Sequence, residues 1–416
     1  MKADIKEKDL EPRVQTSKAA PEAVLAPVPD RETATATLYK PREDPLFVIG
    51  MFRSGTSLLY ALLNQHSQIA LMYEGDLAHL ACLFWIPRDT TRWIRRWEFW
   101  NAALGRHKFD AKVIPDGIRD LDDAVRAVYV EYARQKKNAP VWGCKSPTYH
   151  DEVTRLARVF PNARFIIIWR DLRHICRSIL EAAETSPFFN RGGMTLRAIV
   201  GYHDLKRQCD ALIKRGGRVH QLDYEEMVKD PEGHMKAICQ FLDLPFEPSM
   251  CNLKGADRSA ISNLRHHSMV KGDKIMTDRN GTGGIPVELR DKIERYVKMW
   301  REEYHGTWPL YPRTLESNPS NPGLWERTVD RLSYEFFQFT HHAAPVIFSF
   351  VPMKVWGIYR KRIAVRRIRR LLQKAGTNRD ELLRKAAIQD EELLKLVGIS
   401  KEDLEQIMAF KKKQEQ

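Results

Sequence analysis

A length of 416 residues allows one large domain with extensions, or two or three domains, and a hydrophobic fraction of 43% is sufficient for a sizeable core. Six cysteines stand singly, without a C-x-x-C pair or a Cys/His cluster, which argues against a disulfide framework and a zinc site. Reduced thiols of this kind favour a cytoplasmic protein.

The formal net charge of +14 is concentrated in one segment. Between Lys354 and Lys374 there are nine Lys or Arg residues and no Asp or Glu, and without these nine cations the net charge falls from +14 to +5. Such a patch predicts contact with an anionic surface. The mildly basic remainder suits an anionic small substrate or cofactor.

The composition divides the chain into three parts. Residues 1–44 are rich in Ala, Pro, Glu and Lys and lack the apolar stretch of a signal peptide, so we expect a disordered leader without a secretion signal. Residues 45–312 form the main domain. The sequence changes character past Pro312, where a loop precedes a helical pattern, and we expect a helical extension over residues 313–416.

In chain order, the first predicted element is a buried strand over Leu46–Ile49. A glycine loop follows, and then a helix with an apolar face from Thr56 to Gln65. The segments 77–104 and 122–136 favour helices. Residues Val141–Cys144 favour a second strand, which Lys145 follows directly.

Two further strand–helix units follow. The apolar run Arg164–Trp169 predicts a buried strand, and Asp171 is suited to cap the next helix. The stretch VHQLDYEEMVKDPEGHMKAICQFLDLP predicts a strand, a turn and a helix from Pro231, and residues 286–304 favour another helix. This alternation predicts an α/β fold with a mainly parallel sheet flanked by helices, whose ligands bind at the carboxyl ends of the strands.

The loop GMFRSGTS nearly fits the phosphate-binding pattern G-x-x-x-x-G-K-[ST], but Thr56 stands in the place of the lysine. Backbone N–H groups and the positive end of the helix dipole attract anions at such a loop. Ser54, Thr56 and Ser57 add hydroxyl donors, and Arg53 adds a fixed charge. The loop therefore predicts an anion site that does without the lysine serving ATP.

With its flanking residues, the stretch GMFRSGTSLLYALLNQH resembles the 5′-phosphosulfate-binding loop of sulfotransferases, in the branch that includes protein-tyrosine sulfotransferases and bacterial sulfotransferase-family proteins. Three more blocks resemble this family in the expected order. They are WRDLRHICRSIL, which is similar to the 3′-phosphate-binding segment, then YEEMVKDPEGHMKAICQFLDLP, and GTGGIP before a helix. Together these blocks cover residues 45–312.

The resemblance implies a fold similar to that of P-loop kinases and a donor, 3′-phosphoadenosine 5′-phosphosulfate (PAPS), that is used without a metal. It implies that the nucleotide is bound by Arg53, Ser54, Gly55, Thr56, Ser57, Arg170, Ser178 and Tyr224. Arg279 aligns where protein-tyrosine sulfotransferases have a 3′-phosphate-binding serine, which puts that contact in question.

Three residues are candidates for catalysis. Arg53 and Lys145 suit stabilisation of charge on the transferred group and the leaving phosphate, and Lys145 matches a family lysine. Glu74 lies 21 residues after Arg53, where the resemblance implies a glutamate that deprotonates the acceptor. Its competitors are Asp76, His66 and His79.

These observations predict a sulfotransferase that acts on a hydroxyl-bearing acceptor, which can be a carbohydrate, lipid, peptide or small alcohol. One alternative is a P-loop-like kinase or phosphotransferase, against which the missing loop lysine and the absence of a clear magnesium-binding Asp strand argue. Another is a non-catalytic, membrane-associated nucleotide-binding protein. The sequence leaves the oligomeric state open.

Residues 341–374 combine an apolar half with a basic half. Pro345, Pro352 and Lys354 interrupt the apolar half, which falls short of the roughly 20 apolar residues that a span needs. The basic half is an amphipathic helical pattern, typical of a segment in the headgroup region. We expect salt-sensitive peripheral membrane binding, lost on truncation after Pro312. The alternative is packing of the apolar half on the main domain, and a nucleic-acid tail is disfavoured.

Overall fold

The computed structural model describes residues 39–78, 121–184, 186, 188–261, 270, 272–276, 284–305, 315 and 317–349. The described residues from Lys40 onward belong to one compact unit. Most of the predicted leader and all residues after Ser349 lie outside the described part, so the three-part division of the chain stays a prediction.

Within the described residues, five parallel strands form one sheet in the order β2-β3-β1-β4-β5. The predicted parallel α/β sheet is therefore confirmed, and β1 and β4 have the predicted bounds. The second strand, β2, was not predicted. The strands are β1 (Leu46–Ile49), β2 (Ile69–Tyr73), β3 (Val141–Lys145), β4 (Arg164–Trp169) and β5 (Arg218–Asp223).

Helices cover the sheet and extend beyond it. The helical C-terminal extension is confirmed as far as Ser349, and the long helix α5 was not predicted. The α-helices are α1 (Thr56–Leu63), α2 (Leu121–Lys137), α3 (Val153–Val159), α4 (Leu172–Ala183), α5 (Met194–Lys214), α6 (Tyr224–Lys229), α7 (Pro231–Phe241), α8 (Val287–Glu303) and α9 (Leu324–Ser349).

The sheet separates two hydrophobic cores. Phe47 and Ile49 of β1 point into one core, and Leu46 and Val48 point into the other. Because successive side chains of a strand alternate between its faces, a strand covered on both sides needs an unbroken apolar run. This requirement explains why β1 is recognisable from its sequence.

Gly143, in the middle of β3, permits the close approach of β3 to β1. A Cβ atom at this position would lie 2.0 Å from the carbonyl oxygen of Leu46, and φ is +149°. The obstructing atom belongs to the backbone of the central strand and cannot rotate away.

We therefore expect Gly143→Ala to lower the free energy of unfolding by about 2–4 kcal/mol, since overpacking next to backbone forces the strands apart. Urea denaturation followed by circular dichroism measures this loss. Gly323→Ala, where a Cβ meets nothing within 4 Å, is the control and should leave the midpoint unchanged. An unchanged midpoint in the Gly143 variant would contradict the packing argument.

Candidate active site

The predicted glycine loop and four predicted site residues meet at one edge of the sheet, where the strands have their carboxyl ends. Gly50 follows β1, Glu74 follows β2, Lys145 ends β3, Arg170 follows β4, and Tyr224 follows β5. All five strands run parallel, so their carboxyl ends lie on the same side. The sheet thus brings together residues that are far apart in the sequence.

The loop between β1 and α1 turns sharply through two residues with left-handed φ, Arg53 at 71° and Gly55 at 99°. Gly55 is the N-cap of α1, where no side chain accepts a cap hydrogen bond. A Cβ at Gly55 would lie 2.2 Å from the ring of Tyr224. The glycine therefore serves the turn and also lets Tyr224 pack against the loop.

Lys145 and Glu74 form a close ion pair at this edge. The Nζ atom of Lys145 donates a hydrogen bond to Oε1 of Glu74 at 2.8 Å. Lys145 is almost fully buried, whereas 19% of the Glu74 side chain is exposed. The carboxylate is therefore the partner that an incoming molecule can reach.

Ser57 and Tyr73 complete the surroundings of the Lys145 ammonium group. Nζ of Lys145 lies 3.3 Å from Oγ of Ser57 and 4.1 Å from the centre of the Tyr73 ring. The Ser57 and Tyr73 hydroxyls are 2.8 Å apart. The sequence reasoning missed Tyr73. An apolar run, Ile69–Tyr73, directly before Glu74 was the signal that could have located it.

Two opposing effects act on the pKa of Lys145. Burial lowers it, but the Glu74 carboxylate and Tyr73 raise it, and the net direction is upward. The amine consequently stays protonated at neutral pH, which makes it a source of positive charge beside the N-terminus of α1.

Arg53 is held by a residue of α4. Its Nε donates a hydrogen bond to Oγ of Ser178 at 3.0 Å. Burial, and next the proximity of Arg170, lower the pKa of Arg53 to about 10. The guanidinium therefore remains charged at neutral pH, although it is half-buried beside another cation.

Arg170 packs between the loop and β5. Its Nη1 donates to the carbonyl oxygen of Arg53 at 3.0 Å, and its guanidinium lies 4.2 Å from the centre of the Tyr224 ring. The Nε atom is buried without a hydrogen-bond partner and lies 3.7 Å from Oε1 of Glu225. An arginine in this state retains a donor for a further acceptor.

Phe52 forms the rear of the loop, where it packs against aromatic rings and one cation. The guanidinium of Arg197, on α5, lies 5.1 Å from the Phe52 ring and 4.5 Å from the Phe337 ring of α9. All three Arg197 nitrogens are buried without a hydrogen-bond partner, and burial lowers the pKa of Arg197. This cation is thus held between two rings.

The surroundings of Glu74 differ from those of two competing candidates for the base, Asp76 and His66. Asp76 accepts hydrogen bonds from the hydroxyls of Ser146 at 2.5 Å and Thr148 at 2.9 Å. These bonds hold Asp76 against the residues that follow β3. His66 is fully buried, with Nε2 2.8 Å from the Pro245 carbonyl oxygen. It precedes β2 and so lies at the opposite edge of the sheet.

The predicted phosphate contacts fall partly outside the described residues. Ser54 is fully buried, and its Oγ has no hydrogen-bond partner. Arg279 and His79 lie outside the described part of the chain. Within that part, no group of three His, Cys, Asp or Glu side chains is arranged to hold a metal ion.

A comparison with protein families identifies the main domain. Residues 45–248 match the model of the sulfotransferase family. This part of the chain belongs to the sulfotransferase family. The match confirms the predicted family and the transferase class, and it favours a sulfotransferase over the kinase alternative.

Curated relatives of the sulfotransferase domain carry a more specific name. A putative protein-tyrosine sulfotransferase of Caenorhabditis briggsae is 24% identical over 238 residues, which cover 57% of this chain and 74% of the relative. Protein-tyrosine sulfotransferase A of Caenorhabditis elegans is 26% identical over 268 residues, which cover 62% of this chain and 66% of the relative. The match to protein-tyrosine sulfotransferase 1 of Danio rerio covers 58% of that relative's length.

Among solved structures, this chain is similar to a sulfotransferase domain from the curacin biosynthetic pathway. The two are 18% identical with a TM-score of 0.44, and the match covers 63% of this chain and 98% of that domain.

The contacts of Tyr224 lead to a prediction for the sulfotransferase domain. Its ring supports both Gly55 and Arg170. We expect Tyr224→Ala to weaken binding of adenosine 3′,5′-bisphosphate, the desulfated form of the donor that the family resemblance implies, by about tenfold or more. Without the ring, Arg170 loses a contact that contributes about 2 kcal/mol, and the nucleotide must order Arg170 and the loop on binding. Calorimetric titration measures this affinity.

Tyr224→Phe, which keeps the ring, is the matched control and should bind within about twofold of the wild type, a difference of about 0.4 kcal/mol. Equal affinity of the Ala variant and the wild type would show that the ring does not support the loop.

Proposed function

We propose that this protein transfers the sulfuryl group of PAPS to an acceptor hydroxyl, and that the edge of the sheet described above is its active site. The observation that carries this proposal is the contact of Lys145 with both Glu74 and Ser57 at the N-terminus of α1. It places a buried cation and an accessible carboxylate beside the anion-binding end of a helix.

The residues present fit a donor with several phosphate-type oxygens. The first N–H groups of α1 have no side-chain cap, and Gly55 keeps the loop free of a Cβ where Tyr224 packs. The buried Nε of Arg170 lacks a hydrogen-bond partner, which is costly unless an acceptor supplies one. We propose that residues 50–57 hold the 5′-phosphosulfate.

The 3′-phosphate belongs, in this proposal, beside Arg170 and Ser178. Both residues contact Arg53, through its carbonyl oxygen and its Nε respectively, so this second anion site adjoins the loop. Two arginines this close repel each other, and an anion between them relieves the repulsion. Tyr224 supports the site through its ring. Arg279 remains a proposed further contact.

Each catalytic candidate has a distinct role. The bound donor supplies an activated sulfuryl group. Glu74 takes the proton of the acceptor hydroxyl, because its carboxylate is the reachable member of the pair. Lys145 holds that carboxylate in place and, with Arg53, stabilises the negative charge that develops on the leaving side. Both cations are charged at neutral pH and need no reorganisation during transfer.

We propose the phenolic hydroxyl of a protein tyrosine as the acceptor class, ahead of carbohydrate, lipid or small-alcohol hydroxyls. The names of the curated relatives support this choice. So does the chemistry of a carboxylate base, since a phenol with a pKa of about 10 gives up its proton more readily than an aliphatic alcohol.

The donor is tested by thermal unfolding in the presence of a chelator. Adenosine 3′,5′-bisphosphate at about 100 times its Kd should stabilise the folded protein by about 2.7 kcal/mol. ATP under the same conditions is the control and should have a much smaller effect. Stabilisation by ATP with magnesium alone would contradict the proposal and support a phosphotransferase.

The base is tested by Glu74→Gln, which keeps the shape and an acceptor for Lys145 but cannot take a proton. We expect kcat to fall about 10²–10⁴-fold, with the Kd of adenosine 3′,5′-bisphosphate nearly unchanged. Transfer of labelled sulfate from PAPS to tyrosine-containing peptides measures kcat. Asp76→Asn is the control, and full activity of the Glu74 variant would remove Glu74 from the mechanism.

Variants of the two cations and variants of the 3′-phosphate site should differ in whether kcat or nucleotide affinity falls more. Arg53→Ala and Lys145→Ala should lower kcat more than they weaken nucleotide binding, because both act on charge that develops during transfer. Arg170→Ala should weaken nucleotide binding first. A pure loss of affinity in the Lys145 variant would assign that residue to binding alone.

A further inference from the structure

Helix α9 packs on the rest of the protein through a largely polar face, which also buries Tyr334 and packs Phe337 against the core. Asp330 is 6% exposed and Gln338 is 5% exposed, although both are polar. The contacts that hold this face are Glu326 with Arg295, Asp330 with Lys292 and Tyr296, Arg331 with Asp204, and Gln338 with Asp151. A helix that merely covered a core would bury its apolar face instead.

The apolar face of α9 points away from the protein. The exposed fractions are 79% for Trp325, 40% for Val329, 65% for Leu332, 70% for Phe336 and 69% for Phe339. Their spacing of four and three residues places them along one side of the helix. We call these five residues the outer stripe. A continuous stripe of large apolar side chains in water indicates a surface that meets another apolar phase or molecule.

The polar and charged residues that border the outer stripe already have partners within the protein. The hydroxyls of Thr328 and Thr340 donate hydrogen bonds to the carbonyl oxygens of Leu324 and Phe337. Glu326 is paired with Arg295, and Glu335 is paired with Arg331. Two helices that pair along such a repeat usually select each other through charged residues at these bordering positions, whereas here both carboxylates are paired within the same chain.

The chain continues from α9 into the basic segment between Lys354 and Lys374, with its nine cations and no acids. This charge is complementary to anionic lipid headgroups, and the segment begins 15 residues after the last residue of the outer stripe, Phe339. No helix in the described part of the chain is both long and apolar enough to cross a membrane. Apolar and aromatic residues beside a basic segment are typical of a helix that lies in the plane of the membrane surface.

We propose that the outer stripe of α9 is a membrane-docking surface, which lies in the headgroup region of an anionic bilayer while the polar face of the helix holds the catalytic domain above it. This proposal concerns the surface of α9 and stands independently of the proposed sulfuryl transfer.

The test is sedimentation of the full-length protein with vesicles of phosphatidylcholine, with and without phosphatidylserine. We expect binding to the anionic vesicles at low salt, weakened by high salt. The variant Trp325→Ser/Phe336→Ser/Phe339→Ser should partition at least about 100-fold less, because it exposes no large aromatic surface to the lipid. Val287→Ser, at a 64% exposed apolar residue on α8, should bind like the wild type.

The triple variant must keep its thermal shift with adenosine 3′,5′-bisphosphate or, if the nucleotide does not bind, its wild-type unfolding midpoint, which shows that its fold is intact. If the folded triple variant binds anionic vesicles as well as the wild type does, or if the wild type binds neither vesicle at low salt, the proposal is wrong. It is also wrong if the wild type is a dimer in analytical ultracentrifugation and the triple variant is a monomer, since the stripe would then join two copies.

Discussion

The pairing of β2 with β3 determines the geometry on which the site depends. Tyr73 lies beside Lys145 in the parallel register, and the backbone N–H of Glu74 donates to the Lys145 carbonyl oxygen at 2.7 Å. Glu74 then adopts a left-handed φ of 47°, a conformation that is uncommon for residues other than glycine and that concentrates at functional sites. The strand ladder thus directs the carboxylate back onto the lysine.

The electrostatics of the same edge are unbalanced towards positive charge. Arg53 and Arg170 lie close enough for one to lower the pKa of the other, and Glu225 is shared between Arg170 and His174. Keeping the buried guanidinium of Arg170 next to the half-buried one of Arg53 lowers the folding stability. That cost is understandable where an anionic ligand completes the arrangement.

The helices and strands were predictable where a short stretch of sequence carries a clear signal, such as an apolar run or a glycine turn. The apolar runs of β1 and β4 predicted the bounds of these two strands correctly, because a strand that is covered on both faces needs an unbroken apolar run. The glycine loop predicted the start of α1. β2 was missed because the periodicity of a short apolar run such as Ile69–Tyr73 does not distinguish a buried strand from a buried helix segment, and its Ala, Leu and Met residues favour a helix. The helix α5 contains Gly201, which reads as an interruption. A Cβ there would lie 3.0 Å from the His150 ring, so tertiary packing explains the glycine.

The position of the candidate site at the carboxyl ends of the strands was predictable, but the contacts between its side chains were not. Lys145 and Arg170 follow apolar runs that end at one edge of a parallel sheet. The contact of Arg53 with Ser178 joins residues far apart in the chain, and only the packing of α4 brings them together. The orientation of α9 was also beyond sequence reasoning, because the usual expectation buries the apolar side of a helix.

The cation between Phe52 and Phe337 has a mechanical consequence. Arg197 touches a ring of the anion-binding loop on one side and a ring of the C-terminal helix on the other. A shift of that helix away from the loop would leave a desolvated guanidinium with one ring contact instead of two, which opposes independent movement of the loop and the helix. The inner face of α9 is thus connected, through Phe337, Arg197 and Phe52, to the backbone next to Arg53.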